Sequence, residues 1–359
     1  MLVSKKYFTI YSCRLIKKFF RLQRIFWKII YIILIILQYS CKDNEISIAV
    51  SNEGPLFSSS ILFIAAKKDS NGHYGTYQLY EMNEDCSFIR QLTFNPNFPI
   101  HYACWSPDGL QIMFTSSVGG AFGYDDAIYT MNLNGSNIRS ILRLVGHDSN
   151  PCTGRHPVWS PDAKQIAFSR IVGLESRGRR DIFLINIDGM NERQLTFSED
   201  LSEDVYDWSR DGLYILGNVI DYVTRDSLGY LEPNARIKLF SLKGDCLWTW
   251  GKTGFTFGLP VYSTRGDRIA FISTKVGYQA LYIMHLGGIS DTLIASRDFT
   301  YYEPVSWSPN DKKILCNVGI FSSHERIIII DIDSKHIQDV TPFYTGGVYA
   351  YAVSWRRQY

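Results

Sequence analysis

The chain has 359 residues, 46% of them hydrophobic and 14% aromatic, which is ample material for a packed core and far from the composition of a disordered segment. Its formal net charge of +2 is uneven: eight Lys and Arg precede residue 41 with no acid among them, so the body carries 29 basic against 35 acidic residues. A mildly acidic body lacks the basic face that nucleic-acid binding requires, and no nucleic-acid partner is expected.

The first forty residues read as an export signal. A basic stretch from Lys5 to Lys28 leads into the apolar run Ile29 to Leu37, too short for a membrane span of about 20 residues but sufficient for a secretory h-region. Ser40-Cys41 then resembles a bacterial lipoprotein cleavage site, at which Cys41 becomes the acylated N-terminus; Gln38 stands where such sites usually carry Leu, and Leu37 lies one residue further back. An uncleaved hydrophobic anchor is the alternative, and either reading exports the domain. The expected organisation is a signal peptide over 1–40, a lipid-anchor tether over 41–60 and one domain over 61–359. Cys86, Cys104, Cys152, Cys246 and Cys316 show neither zinc nor disulfide spacing, and Cys104 with Cys152 is the one pair to test for a bridge.

Past the tether, Ile61 to Ala65 reads as a strand, Leu79 to Asp85 as a strand running into a hairpin, and Arg90-Gln91-Leu92-Thr93 as the strand that returns. A repeat then begins. Trp105-Ser106-Pro107-Asp108-Gly109 recurs as Trp159-Ser160-Pro161-Asp162-Ala163, Trp208-Ser209-Arg210-Asp211-Gly212 and Trp307-Ser308-Pro309-Asn310-Asp311, with a worn copy at Tyr262-Ser263-Thr264-Arg265-Gly266 and a final Trp355. Each copy ends one strand in a tight turn, where Pro presets φ and Gly takes the left-handed position. A second, apolar strand follows at Gln111 to Thr115, Gln165 to Ser169, Leu213 to Asn218, Arg268 to Ile272 and Lys313 to Asn317. A third strand meets a hairpin, as at Asn134-Gly135 and Asp188-Gly189, and a fourth closes on Leu-Thr, as at Arg193 to Thr196. Four short strands per unit, six times over, is a six-bladed all-β propeller. The N-terminal strands lack a first strand and Tyr349 to Trp355 lacks the other three, so the two ends are expected to share a blade and close the ring.

These Trp-Ser-Pro-Asp-Gly units, over about residues 61–359, resemble the TolB-type propeller family. The resemblance implies a periplasmic binding platform; some members of this kind are appended to peptidase or lyase machinery. The family's namesake carries an α/β domain before its propeller, whereas only some twenty residues separate Cys41 from the first strand here, and on that ground the resemblance is not expected to extend to a Tol-system role.

Blade connectivity puts the variable loops on one face, and binding concentrates on such loops. This face should present Phe122, Tyr124, Tyr222, Tyr230, Phe257, Tyr301 and Tyr302, either to a partner or as packing for the loops themselves. Residues just before each first-strand aromatic should rim the central channel on the same face: His101, Arg155, His156, Asp204, Glu303 and Tyr351. Such a ring suits a metal or a sugar, or simply polar contact with water. Asp108, Asp162 and Asp211 recur at one turn position that Asn310 also fills, which points to turn hydrogen bonding rather than acid–base chemistry. The chain has no G-x-S-x-G, no H-E-x-x-H and no P-loop, and no cofactor is expected. The expected function is an exported, envelope-anchored scaffold that offers its loop face to a protein or glycan; the alternative is a metal-dependent, lyase-like propeller enzyme acting on carbohydrate through His101 and His156.

Overall fold

A computed structural model describes residues 60–68, 71, 73–117, 126–143, 156–172, 179–198, 201–221, 234–251, 256–274, 278–286, 291–296, 299, 301–319, 326–342 and 348–356. The described residues form strands, turns and connections without a helix, in six four-stranded antiparallel sheets. In chain order the blades are β1 (Ser60–Lys67), β2 (Gln78–Asn83) and β3 (Ile89–Gln91), completed by the last strand; β4 (Ile100–Trp105), β5 (Gln111–Ser117), β6 (Asp126–Asn132) and β7 (Arg139–Arg143); and β8 (Val158–Trp159), β9 (Gln165–Ile171), β10 (Arg180–Asn186) and β11 (Arg193–Gln194). The fourth is β12 (Leu201–Trp208), β13 (Tyr214–Asp221), β14 (Asn234–Ser241) and β15 (Cys246–Trp250), and the fifth β16 (Phe257–Tyr262), β17 (Arg268–Ser273), β18 (Ala280–His285) and β19 (Asp291–Ser296). The sixth is β20 (Tyr301–Trp307), β21 (Lys313–Gly319), β22 (Arg326–Asp331) and β23 (Ile337–Asp339), and β24 (Val348–Trp355) returns to the first blade.

The ring closes as the half-repeats at the two ends require. β24 pairs antiparallel with β1, Ile61 facing Trp355 and Lys67 facing Val348, and the sheet order is β24-β1-β2-β3. All five second strands begin within one residue of the positions read from the sequence. The core is a set of slabs between adjacent blades, because both faces of each inner sheet are covered by neighbours. Trp105 packs with Leu62 and Val353 between the first and second blades, and Trp307, fully buried, with Val261 and Ala270 between the fifth and sixth.

One small network repeats at each tryptophan turn. Ser106 Oγ donates to Asp108 Oδ1 (2.6 Å), Leu110 N–H donates to the same oxygen (3.0 Å), Gln111 N–H donates to Ser106 Oγ (2.9 Å), and Gly109 N–H closes the turn on Ser106 O (2.8 Å). The same bonds recur around Ser160 and Asp162, Ser209 and Asp211, and Ser308 and Asn310. The hydroxyl hydrogen bond from Ser160 holds the Asp162 carboxyl below the usual range. These carboxylates are consumed locally, and Asn310 serves as well as Asp because the turn needs an acceptor rather than a charge. The fifth position of the turn is left-handed in every blade that has one, including Ala163 (φ 57°) and Asp311 (φ 58°).

Candidate functional site

The innermost strands β4, β12, β16, β20 and β24, with His156 and Pro157 ahead of β8, surround the central channel. Its turn end is a cavity of about 580 Å³ and its loop end one of about 550 Å³. The loop-end cavity is lined by His101, His156, Glu303 and Tyr351, four of the residues that the spacing placed on the rim, together with Tyr102 and Tyr206. Ladder irregularities between Val205 and Asp207 and between Pro304 and Ser306 leave Tyr206 and Val305 as extra residues in their strands. A bulge of this kind re-aims a side chain, and both residues line the channel.

Three rings from successive blades meet at this end. His156 sits edge-on to Tyr102 (centroids 5.1 Å apart) and stacks on Tyr206 (5.3 Å, 23° between planes). The His156 backbone is left-handed (φ 58°), a conformation that His tolerates better than most residues. His101 Nε2 lies 2.7 Å from Ser117 Oγ, and the Tyr351 hydroxyl donates to His101 O (3.1 Å), tying the closing strand to the second blade. The protein mass around His101 pushes its imidazole below the usual range by desolvation, so it is neutral at neutral pH. On the opposite side Asn317 Nδ2 reaches Glu303 Oε2 (3.4 Å) and Ala352 O (2.9 Å). The site is a concave, aromatic-walled mouth with a carboxylate and two imidazoles, built on rigid strands.

Other expected site residues stand elsewhere. Asp204 does not line the cavity; it accepts two hydrogen bonds from Arg180, at 2.6 and 2.8 Å, and fastens the fourth blade to the third. Phe257 and Tyr302 are core residues, not loop-face aromatics: Phe257 packs in the slab between the fourth and fifth blades, and Tyr302, wholly buried, lies edge-on to Phe299. The strands start earlier than the loop reading assumed, β16 at Phe257 and β20 at Tyr301, so strand alternation decides which side each ring faces. Tyr301, half-buried, packs its ring against Gly319. Phe122, Tyr124, Tyr222, Tyr230 and Arg155 lie outside the described residues, as do Cys41 and Cys152; Cys104 Sγ approaches the Pro157 carbonyl (3.8 Å). Tyr102 and Tyr206 were missed: they stand three and two residues before their tryptophans, and the ladder irregularity that brings Tyr206 to the channel has no signal in the spacing. Among the described residues no group of three or more His, Cys, Asp and Glu side chains comes close enough to hold a metal ion.

No protein-family model matches the chain. Over 251 residues it is 23% identical to the Tol-Pal system protein TolB of Francisella tularensis subsp. mediasiatica, covering 59% of this chain and 55% of that protein. Superposed on TolB from Acinetobacter baumannii it gives a TM-score of 0.63 at 16% identity, over 83% of this chain and 67% of the other. The domain shares the six-bladed propeller fold of TolB. A putative TolB from Agrobacterium tumefaciens gives a TM-score of 0.55 at 17% identity, over 82% of this chain and 98% of that one. The chain spans about half the length of the curated relatives it matches. At this distance the likeness speaks to the fold, and the chemistry of the site rests on its own residues.

Proposed function

We propose that this chain is an exported, envelope-anchored binding protein whose channel mouth, on the long-loop face, receives a protein partner. The observation that carries the reading is the convergence of Tyr102, His156 and Tyr206 from three successive blades on one concave cavity that Glu303 and Tyr351 also line. Tyrosine rings held by packing lose little freedom when a partner docks, and a rigid aromatic wall around a few polar groups is the composition of an interaction hot spot. The relatives' place in the Tol-Pal system supports a protein as the partner and the periplasm as the compartment. Cys41 is the proposed point of lipid attachment.

The test is chemical cross-linking and capture from intact envelopes with the full chain carrying a C-terminal tag, beside a Tyr102→Ala, Tyr206→Ala variant. Both tyrosines are half-buried, so the variant keeps the blade core. One protein retained by the parent and lost by the variant supports the reading. Retention by both moves the interface away from the channel, and a glycan released from the parent alone replaces the protein partner with a sugar. Cys41→Ser tests the anchor separately, since it should release the protein from the membrane fraction.

A further inference from the structure

The chain enters the propeller on the face opposite the channel mouth. β1 begins at Ser60, which pairs with Asn83 just ahead of the first blade's hairpin, so the polypeptide arrives on the face of the tryptophan turns. Ser60 O accepts from Arg356 N–H (2.8 Å), and the Arg356 guanidinium donates to Gly109 O (3.1 Å), which sets this point of entry beside the turn of the second blade. We propose that the turn face docks on a lipid bilayer through apolar side chains of the second, third and fourth blades, so that the channel mouth opens away from the membrane. The proposal rests on the membrane attachment read at Cys41 and adds which face meets the membrane.

Four exposed apolar side chains stand at the turns of three consecutive blades. They are Leu110 (64% exposed) and Ile138 (50%) on the second, Met190 (66%) on the third and Leu213 (55%) on the fourth. The repeat itself does not require them: the place of Leu110 and Leu213 is filled by Lys164, Asp267 and Lys312 in the third, fifth and sixth blades. Bonds between blades join these turns into one surface, since Arg139 Nη2 donates to Ile187 O (2.8 Å) and Arg193 Nη2 to Leu242 O (2.9 Å).

Reach and charge select the occupant. Some twenty residues separate Cys41 from Ser60. A coil of that length spans about 25 Å root-mean-square, against a radius of gyration of about 19 Å for a domain of 300 residues. A bilayer that holds Cys41 therefore meets the turn face at high effective concentration, with the loop face a domain's thickness further away. An uncleaved apolar run Ile29 to Leu37 would attach through the same Ser60 and present the same face. Across 105–111, 132–139, 159–165, 186–193, 208–214 and 241–246, with Arg356, six Lys and Arg stand against six Asp and Glu. Net charge thus neither draws this face to a bilayer nor holds it off, and the contact is apolar. Weak apolar contacts suffice once an anchor has brought the two surfaces together.

Met190 is a built-in reporter. Met82, Met113, Met131 and Met284 are each at most 1% exposed, so among the described methionines dilute peroxide converts Met190 to the sulfoxide first. The full chain is reconstituted through its own anchor into phosphatidylcholine vesicles, and Met190 oxidation is followed by peptide mass spectrometry. The bound parent should oxidise at least about fivefold more slowly than the Cys41→Ser chain free in buffer, the ratio for a face docked roughly four-fifths of the time. A bound Leu110→Glu, Leu213→Glu variant should oxidise at the free rate; Asp267 shows that this turn position accepts an acid, and an unchanged melting temperature confirms the fold. Equal rates for the bound parent and the free chain, or protection that the double variant keeps, overturns the proposal. So does protection that requires phosphatidylglycerol in the vesicles, which would make the contact electrostatic. Protection that vanishes as the protein is diluted in lipid gives the face to a second copy and also overturns it. A parent absent from the membrane fraction refutes the attachment and this proposal with it, an outcome distinct from a bound parent whose Met190 is unprotected. None of these results bears on the channel mouth, which lies on the other face.

Discussion

Asn317 is the side chain on which closure of the ring turns. It is 3% exposed, its Nδ2 donates to the Ala352 carbonyl (2.9 Å), and its Oδ1 accepts from the Ala352 N–H (2.7 Å), so one amide of the sixth blade satisfies both backbone groups of a residue in the closing strand. Asn317→Leu keeps the volume and removes both bonds. Each orphaned, buried backbone group costs about 1–3 kcal/mol, and the two together predict a loss of about 3–4 kcal/mol, or a melting point lower by roughly 10 °C in a domain of this size. Asn317→Asp separates the contributions. It keeps the acceptor for Ala352 N–H, loses the donor, and sets a second carboxylate beside Glu303, whose Oε2 is 3.4 Å from Asn317 Nδ2. Burial and the like charge raise the folded-state pKa of the new acid above its unfolded value. Its stability is therefore greatest at acid pH and is lost as pH rises through the folded value. Chemical unfolding followed by tryptophan emission at about pH 5 and about pH 8 should show Asn317→Leu with the same deficit at both and Asn317→Asp with a larger deficit at the higher pH. An Asn317→Leu deficit under about 1 kcal/mol, below the cost of even one orphaned group, would refute the assignment of closure to this amide.

Three further outcomes follow from the turns and the blade junctions. Ala163 occupies the left-handed turn position that glycine fills at Gly109 and Gly212, so Ala163→Gly should raise stability by about 1 kcal/mol, read as a shift in the denaturation midpoint. Asp311 is buried and accepts from Thr264 N–H (2.5 Å) and Arg265 N–H (2.9 Å) across a blade junction, whereas Asp108 serves only its own exposed turn. Asp311→Ala should cost about 3 kcal/mol and Asp108→Ala about 1, and equal losses would show that the junction bonds add nothing. Burial raises the pKa of Glu203, beside the Asp181 carboxylate whose pKa burial also raises. The stability these two acids contribute is present at low pH and lost as pH rises through their folded values. Glu203→Gln should therefore be more stable than the parent at neutral pH and close to it near pH 4, with midpoints compared at both.

The blades were legible because the residues that make them act locally. Ser106, Asp108 and Gln111 complete their network within six residues, so the network repeats wherever its letters repeat, and the half-blades at the two ends follow from counting strands. The channel residues were legible where one offset from the tryptophan sufficed, at His101, Glu303 and Tyr351. They were lost where the outcome depended on register or on a neighbouring blade. Tyr301 and Tyr302 are adjacent in sequence, and only the start of β20 decides that one packs on Gly319 while the other enters the core. Asp204 shares its offset with Glu303 but meets Arg180 from the preceding blade, a contact that local spacing cannot reveal. Tyr206 reaches the channel through a bulge that its own strand's letters do not announce.

Departures from the repeat carry more functional information than its faithful copies. The worn turn of the fifth blade has Thr264 and Arg265 where the Trp105 and Trp159 copies have Pro and Asp, and the N–H groups of these two residues are satisfied from outside by the Asp311 carboxylate. Arg268 adds a second tie, donating to Asp311 O (3.0 Å) with its guanidinium 4.8 Å from the Trp307 ring centre. The next blade thus adds acceptors to the turn's own, in which Ser263 Oγ donates to Asp267 Oδ1 (2.9 Å) and accepts from Arg268 N–H (3.1 Å), and together they hold the turn's shape without a tryptophan. The position so released holds Tyr262, whose phenol is pushed up by burial, first, and by the Asp207 carboxylate, so that it stays neutral. Placing a tryptophan there with Tyr262→Trp is the direct check: if the Asp311 ties hold the turn's shape, the variant should keep the ring closed without a lower melting point.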